Sequence, residues 1–166
     1  MSCRKQLILF LSVIILSSCF GNKKMKQDDI FNIVLGSDIS CIDSLLNNEV
    51  PSNVFLICSV YDCGTCLEKA FAEVREIDKL IDPQSVQVIG VLADPTPLQI
   101  HFNYYNYIAY DIDDQIRRHL KFIPTPVIIV SDEDRRVYYI HRPTSSDSVS
   151  YIAKEIRELV IQRYIP

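Results

Sequence analysis

Two hydrophobic regimes alternate along this chain. Asn53 to Tyr61 (NVFLICSVY) is almost unbroken apolar sequence rich in β-branched and aromatic residues. That pattern predicts a strand buried on both faces of a parallel or mixed sheet. From Cys66 the period changes. Leu67, Ala70, Phe71, Val74, Ile77 and Ile81 recur at three- and four-residue spacing, with Glu, Lys and Arg between them. This predicts an amphipathic helix over Cys66–Ile81, stopped at Asp82-Pro83. Val86 to Leu92 (VQVIGVL) predicts a second buried strand.

The flanking segments fill in the order. Ile30 to Leu35 (IFNIVL) predicts a first strand ended by Gly36, and Asp38 to Leu46 a short helix. Asp94-Pro95-Thr96-Pro97 breaks the second buried strand and opens a short helix through about Asn103. Asp111 to Phe122 predicts a further helix, with Ile112, Ile116 and Leu120 on one face. Val127–Val130 and Val137–Ile140 predict a hairpin around the polar turn Ser131–Arg136. Ser146–Arg163 closes the chain as a helix, with Val149, Ile152, Ile156, Leu159 and Val160 inward. Strands separated by helices imply right-handed crossovers, and the late hairpin implies one antiparallel edge. The expected class is α/β: a central mixed sheet flanked by helices, with a terminal antiparallel hairpin.

The N-terminus follows different rules. Arg4 and Lys5 precede Leu7 to Leu16 (LILFLSVIIL), an apolar run broken only by Ser12. It is too short to span a bilayer, which needs about 20 residues, but it fits the apolar region of a secretory signal. It ends in Leu16-Ser17-Ser18-Cys19, which resembles the bacterial lipobox. The resemblance implies cleavage before Cys19 and lipid attachment to that residue. The expected organisation is a signal peptide over 1–18, a lipidated N-terminus and polar tether over 19–29, and a domain over 30–166. Phe20 stands where an inner-membrane retention signal would place Asp, which favours the outer membrane of a bacterial envelope. An ordinary signal peptide or an uncleaved anchor is the alternative.

With 166 residues, 48% of them hydrophobic, the chain can bury a core without disulfide staples. A net charge of −4 without a basic run argues against nucleic acid as a partner. An extracytoplasmic address makes disulfides permissible, which gives the six cysteines their interest.

Cys63-Gly64-Thr65-Cys66 is the expected chemical centre. It follows a buried strand and opens an amphipathic helix. Orphan N–H groups and the helix dipole there favour a thiolate on Cys63, and the thiolate is the reactive form. Cys66 lies one turn further on, near enough to close a disulfide. Gly64 and Thr65 are small and leave the turn open to a partner.

Strand, CxxC, helix and a late hairpin preceded by proline resemble the thioredoxin superfamily, over roughly Asn53 to Arg163. Ile123-Pro124-Thr125-Pro126 carries the second part of the resemblance. In the family a cis-proline here faces the disulfide, and the residue before it offers backbone to an extended substrate. The resemblance assigns these roles to Thr125 and Pro126, with Pro124 as the alternative. Thr-Pro, four apolar residues and Asp132-Glu133-Asp134 resemble the membrane-tethered, cytochrome-maturation-type branch. Two departures matter. Asp62 stands where the family usually has Trp, and its carboxylate opposes a thiolate beside it. Ile57 stands where the family often has a buried acid that takes the proton of the second cysteine.

The resemblance implies a lipid-anchored thiol–disulfide oxidoreductase, with a reductase favoured by the weaker thiolate stabilisation. Its partners would be a protein disulfide or thiol and a membrane electron donor, without a cofactor. The alternative is a non-catalytic thioredoxin-like binding module in an envelope assembly. A zinc site at CxxC would need further ligands at short spacing, but His101, His119 and His141 are isolated in the sequence, so no metal site is expected. A purely structural disulfide is the plainer reading of CxxC. Cys58 is expected in the core and Cys41 buried or half-buried. The aromatic run Phe102 to Tyr110 (FNYYNYIAY) is expected to pack a connecting element, with partner docking as the alternative.

Overall fold

The computed structural model describes residues 27–46, 52–81, 86–91 and 108–164. Its centre is strand β1 (Val54–Ser59), in which every residue is buried. Parallel to it lies β2 (Val86–Val91), and beyond β2, again parallel, β3 (Ile108–Asp111). On its other side β4 (Val127–Ser131) runs antiparallel and forms a hairpin with β5 (Val137–His141). The sheet order is β3-β2-β1-β4-β5. With helices on both faces this is the expected thioredoxin-like α/β fold.

The unbroken apolar sequence of β1 serves two cores at once, because successive strand residues point to opposite faces. Val54, Leu56 and Cys58 join one core with Leu67, Ala70, Phe71, Val74 and Ile77 of helix α2 (Gly64–Leu80). Ile152, Ala153 and Ile156 of α4 (Val149–Tyr164) complete that layer. Phe55 and Ile57 face the other core, with Ile39, Ile42, Ile116, Leu120 and Ile123. The hairpin residue Arg135 clasps this second layer. Its guanidinium donates to Asp43 at 2.7 Å, to the Ser52 carbonyl at 2.7 Å and to Asn53 Oδ1 at 3.0 Å, and lies 5.4 Å from the Phe55 ring centre.

Several elements depart from expectation. Ile30–Leu35 is not a strand; it belongs to helix α1 (Gln27–Val34), which begins within the segment expected as tether. A short apolar run does not fix the period. A strand would bury Ile33 and Leu35 together, whereas they are 42% and 44% exposed, and Val34 enters the core with Phe31 packed against it. Gly36, with φ +80°, ends a helix rather than the expected strand, and its N–H donates to the Val137 carbonyl at 2.7 Å. Asp38–Leu46 narrows to a 3-10 helix over Ser40–Ser44. Asp111–Phe122 is not one helix: Asp111 ends β3, and only Gln115–His119 (α3) is helical. The buried Asp111 carboxylate accepts the Gln115 and Ile116 N–H groups at 2.9 and 2.8 Å and so caps the helix from outside it. The intervening turn leaves Ile112, expected inward, 69% exposed. The helix expected from Asp94 to about Asn103, the aromatic run before Ile108, and the N-terminus with Cys19 lie outside the described residues. Among the described residues no helix is long and apolar enough to cross a membrane.

Ile128, fully buried in β4, faces the α2–α4 layer. Ile128→Ala should lower unfolding free energy by about 2–5 kcal/mol. Urea denaturation should show a lower midpoint with an unchanged slope.

Candidate active site

Register sets the site. Ile57 of β1 pairs with Val127 of β4, while Ser59 pairs with Val91 and Val91 with Asp111. The C-terminal ends of the three parallel strands and the start of β4 therefore meet at one end of the sheet. The segments that leave there carry Cys63 and Cys66 after β1, Ile112 after β3, and Phe122, Pro124, Thr125 and Pro126 before β4.

Cys63 is the N-cap of α2, and its sulfur accepts the Cys66 N–H at 3.1 Å. Thr65 Oγ1 lies 3.5 Å from the same sulfur. Cys63 and Cys66 are joined in a disulfide with 5.2 Å between their Cα atoms. Cys63 is exposed and Cys66 half-buried. The helix terminus thus offers the outer sulfur to a partner and turns the inner one toward the first turn. Of the two competing prolines, Pro126 follows a cis peptide bond, Thr125–Pro126. Pro126 is buried, while Pro124 and Thr125 are half-buried.

The residue before Cys63 joins the two loops. One Asp62 carboxylate oxygen accepts the Ser59 N–H at 2.7 Å, closing the turn after β1. The other accepts the Thr125 hydroxyl at 2.7 Å, across a sequence separation of 63. Asp62 therefore fastens the CxxC loop to the proline loop, a role that sequence alone did not show. Burial pushes its carboxyl above the ordinary 3.8, while hydrogen bonds from Thr125 and Ser59 and the charges of Arg117 and Arg142 pull the other way. Ile57 is fully buried in the core on the sheet face away from α2.

Cys58 and Cys41 sit as expected. Cys58 is fully buried and its thiol lies 3.7 Å from the Ile89 carbonyl oxygen. Burial raises its pKa strongly, with a smaller push from Asp62. Cys41 is half-buried, and burial raises its pKa too. Three large apolar residues at this end of the sheet face solvent: Tyr61 (80% exposed), Ile112 and Phe122.

Of the histidines, His119 is exposed and His101 lies outside the described residues. His141, read from the sequence as isolated, is not: its Nε2 lies 3.0 Å from Glu73 Oε2 and 3.8 Å from Asp147 Oδ2. Glu73 was grouped with the polar face of α2 but is fully buried. The spacing carried the signal, since position 73 falls between Ala70 and Ile77 on the inner stripe.

No protein-family model and no curated protein matches the chain. Among solved structures, the chain is similar to an uncharacterized thioredoxin-like protein from Porphyromonas gingivalis, with 19% identity, 70% of this chain and 79% of that one covered, and a TM-score of 0.49. It is similar to a thiol-disulfide isomerase from Corynebacterium glutamicum, with 19% identity, 69% and 84% coverage, and a TM-score of 0.49. It is also similar to a secreted Mycobacterium tuberculosis disulfide oxidoreductase homologous to E. coli DsbE, with 18% identity, 61% and 79% coverage, and a TM-score of 0.45.

The Asp62 link has two measurable consequences. Asp62→Ala leaves the Ser59 N–H and the Thr125 hydroxyl without their acceptor and should cost about 1–3 kcal/mol at neutral pH. The pH dependence has a definite sign. A carboxyl raised by folding destabilises the native state when ionised, so wild type should gain stability relative to Asp62→Asn as pH falls through the folded-state pKa. The gain should be complete below the ordinary value of 3.8. Urea titrations of both proteins across the acid range check this, and a pH-independent difference would contradict it.

Proposed function

We propose that the chain is a lipid-anchored, extracytoplasmic thiol–disulfide oxidoreductase that works as a reductase through Cys63 and Cys66. The observation that carries this reading is the disulfide at the exposed N-terminus of α2, fastened through Asp62 to the loop of Thr125 and Pro126. In the reduced protein, the Cys63 thiolate attacks one sulfur of a substrate disulfide. The substrate S–S bond breaks, a mixed disulfide forms, and the other substrate sulfur leaves as a thiolate. Cys66 then loses its proton and attacks Cys63 Sγ, releasing the second substrate thiolate. The substrate gains two electrons and the Cys63–Cys66 disulfide forms. A membrane dithiol or equivalent two-electron carrier must reduce it again.

The substrate is a polypeptide. Thr125 offers backbone to an extended segment, with Pro126 behind it. Tyr61, Ile112 and Phe122 supply exposed apolar surface at the same end of the sheet. The thiol–disulfide exchange of this reading uses neither a cofactor nor nucleic acid. The polar N-terminal segment after Cys19 tethers the domain, which begins with α1, to the membrane of a bacterial envelope, with the outer membrane favoured.

A second reading has its own support. Ile57 removes the usual proton acceptor beneath the disulfide, and Asp62 replaces the aromatic neighbour of Cys63. Both fit a binding module that retains its cysteines and holds a partner by the same surface.

Insulin reduction separates the two. Wild type should accelerate it, and Cys63→Ser should abolish the acceleration. Cys66→Ser should instead accumulate a mixed disulfide on Cys63, visible by non-reducing electrophoresis and mass spectrometry. In the reduced protein Cys63 should alkylate before Cys66. Absence of activity in wild type, or faster alkylation of Cys66, would favour the binding module. The anchor is tested separately: Cys19→Ala should leave an uncleaved precursor that no longer incorporates labelled fatty acid, and normal processing of that variant would remove the lipid from the reading.

A further inference from the structure

A second polar cluster lies on α2, independent of the redox reading. Glu73 follows Cys66 by seven residues, on the order of 10 Å along the helix axis. It points into the layer between the sheet and α4. Its carboxylate is fully buried, Oε2 is 3.0 Å from His141 Nε2, and Oε1 has no hydrogen-bond partner among the described residues. Asp147, in the loop between β5 and α4, brings its Oδ2 to 3.8 Å from the same imidazole nitrogen. One ligand atom from each of Glu73, His141 and Asp147 lies within 4.8 Å of the others.

A buried carboxylate with one oxygen unpaired is costly unless a positive charge compensates it. The nearby Lys69 ammonium donates to the Asp147 main-chain carbonyl rather than to either carboxylate. It holds the loop against α2 without neutralising Glu73.

The two distances at the imidazole suit a small tetrahedral ion. Zinc–nitrogen and zinc–oxygen bonds of about 2.0–2.1 Å imply ligand–ligand edges of roughly 3.3 Å. The two edges at His141 Nε2, 3.0 and 3.8 Å, straddle that value. We propose that Glu73, His141 and Asp147 form a binding site for a zinc-like divalent transition-metal ion, with a fourth position open. An imidazole among the ligands disfavours calcium and magnesium, which take oxygen donors. Coordination through Nε2 places the ring proton on Nδ1. The ion ties together three separate pieces of the fold: α2, the end of β5 and the loop before α4.

The test uses the full chain with Cys63 and Cys66 oxidised and accessible thiols blocked with iodoacetamide, so that sulfur cannot ligate. Equilibrium dialysis against zinc chloride in a weak competing chelator should give one zinc per chain. Zinc should raise the thermal midpoint, and the same concentration of magnesium should not. His141→Ala and Glu73→Gln should each weaken zinc binding at least tenfold. Asp147→Asn, in a half-exposed loop, should do so without disturbing the core, and its circular dichroism should match wild type. Failure of wild type to bind zinc stoichiometrically would overturn the proposal. So would undiminished binding by Asp147→Asn and His141→Ala, which would place the ion elsewhere.

Discussion

The pairing of β1 with β4 is the constraint from which the site follows. Val54 to Ile57 lie opposite Val130 to Val127 in antiparallel register. The end of one strand is thereby brought to the beginning of the other. Strand side chains alternate faces, so a slip of one residue would exchange the two cores. Both faces of β1 are filled, with Leu56 toward α2 and Phe55 and Ile57 toward the opposite layer, so slippage would bury nothing well. The proximity of the CxxC loop to the Thr125–Pro126 loop is thus inherited from core packing. Asp62 adds a short polar fastening, accepting from Ser59 and Thr125 at 2.7 Å each.

That fastening changes the meaning of the missing aromatic residue. Read from the sequence, Asp62 is chiefly a negative charge beside a thiolate. In the structure both of its oxygens are engaged by donors, and two arginines contribute to its surroundings. Its carboxylate is committed to geometry. The half-buried position that makes the fastening also raises the carboxyl pKa, because desolvation outweighs what the donors return. One residue therefore sets the spacing of two loops at a cost in charge burial.

Strands β1, β2, β4 and β5 and the helix after CxxC were legible because their segments carry clear periods, whereas β3 (Ile108–Asp111) lies where the sequence was read as a packed connecting run and a helix start. The three- and four-residue spacing of α2 admits one structure, and in β1 the β-branched and aromatic content decides for strand where an unbroken apolar run alone would not. Segments whose fate depended on distant partners were not legible. Ile30–Leu35 is too short to distinguish strand from helix, and β5, through Val137, decides which side it shows. Asp111 looked like a helix start, yet it is a strand end whose carboxylate caps a helix four residues later. At the site, the cysteines and Pro126 followed from spacing and resemblance. The Asp62–Thr125 bond spans too much sequence for any local pattern to reveal it.

Glu73 and Ile57 show how polarity was redistributed around α2. Position 57, which the sequence resemblance marks as a place for a buried acid, holds an isoleucine sealed within the second core. A carboxylate is instead buried on α2, against His141. The two sites face opposite sides of the sheet, since Ile57 belongs to one core and the neighbours of Glu73 on α2 to the other. Between Cys66 and Glu73 the inner face of α2 carries the buried apolar residues Leu67 and Ala70, which separate the acid from the disulfide. In the reductase reading, the proton that Cys66 loses when it resolves a mixed disulfide must leave on the open side of the helix terminus. Cys66 is half-buried there rather than enclosed. An apolar floor and an open rim make that step depend on water or on an acceptor brought by the substrate, and they separate the redox chemistry of the disulfide from the electrostatics of the Glu73 cluster.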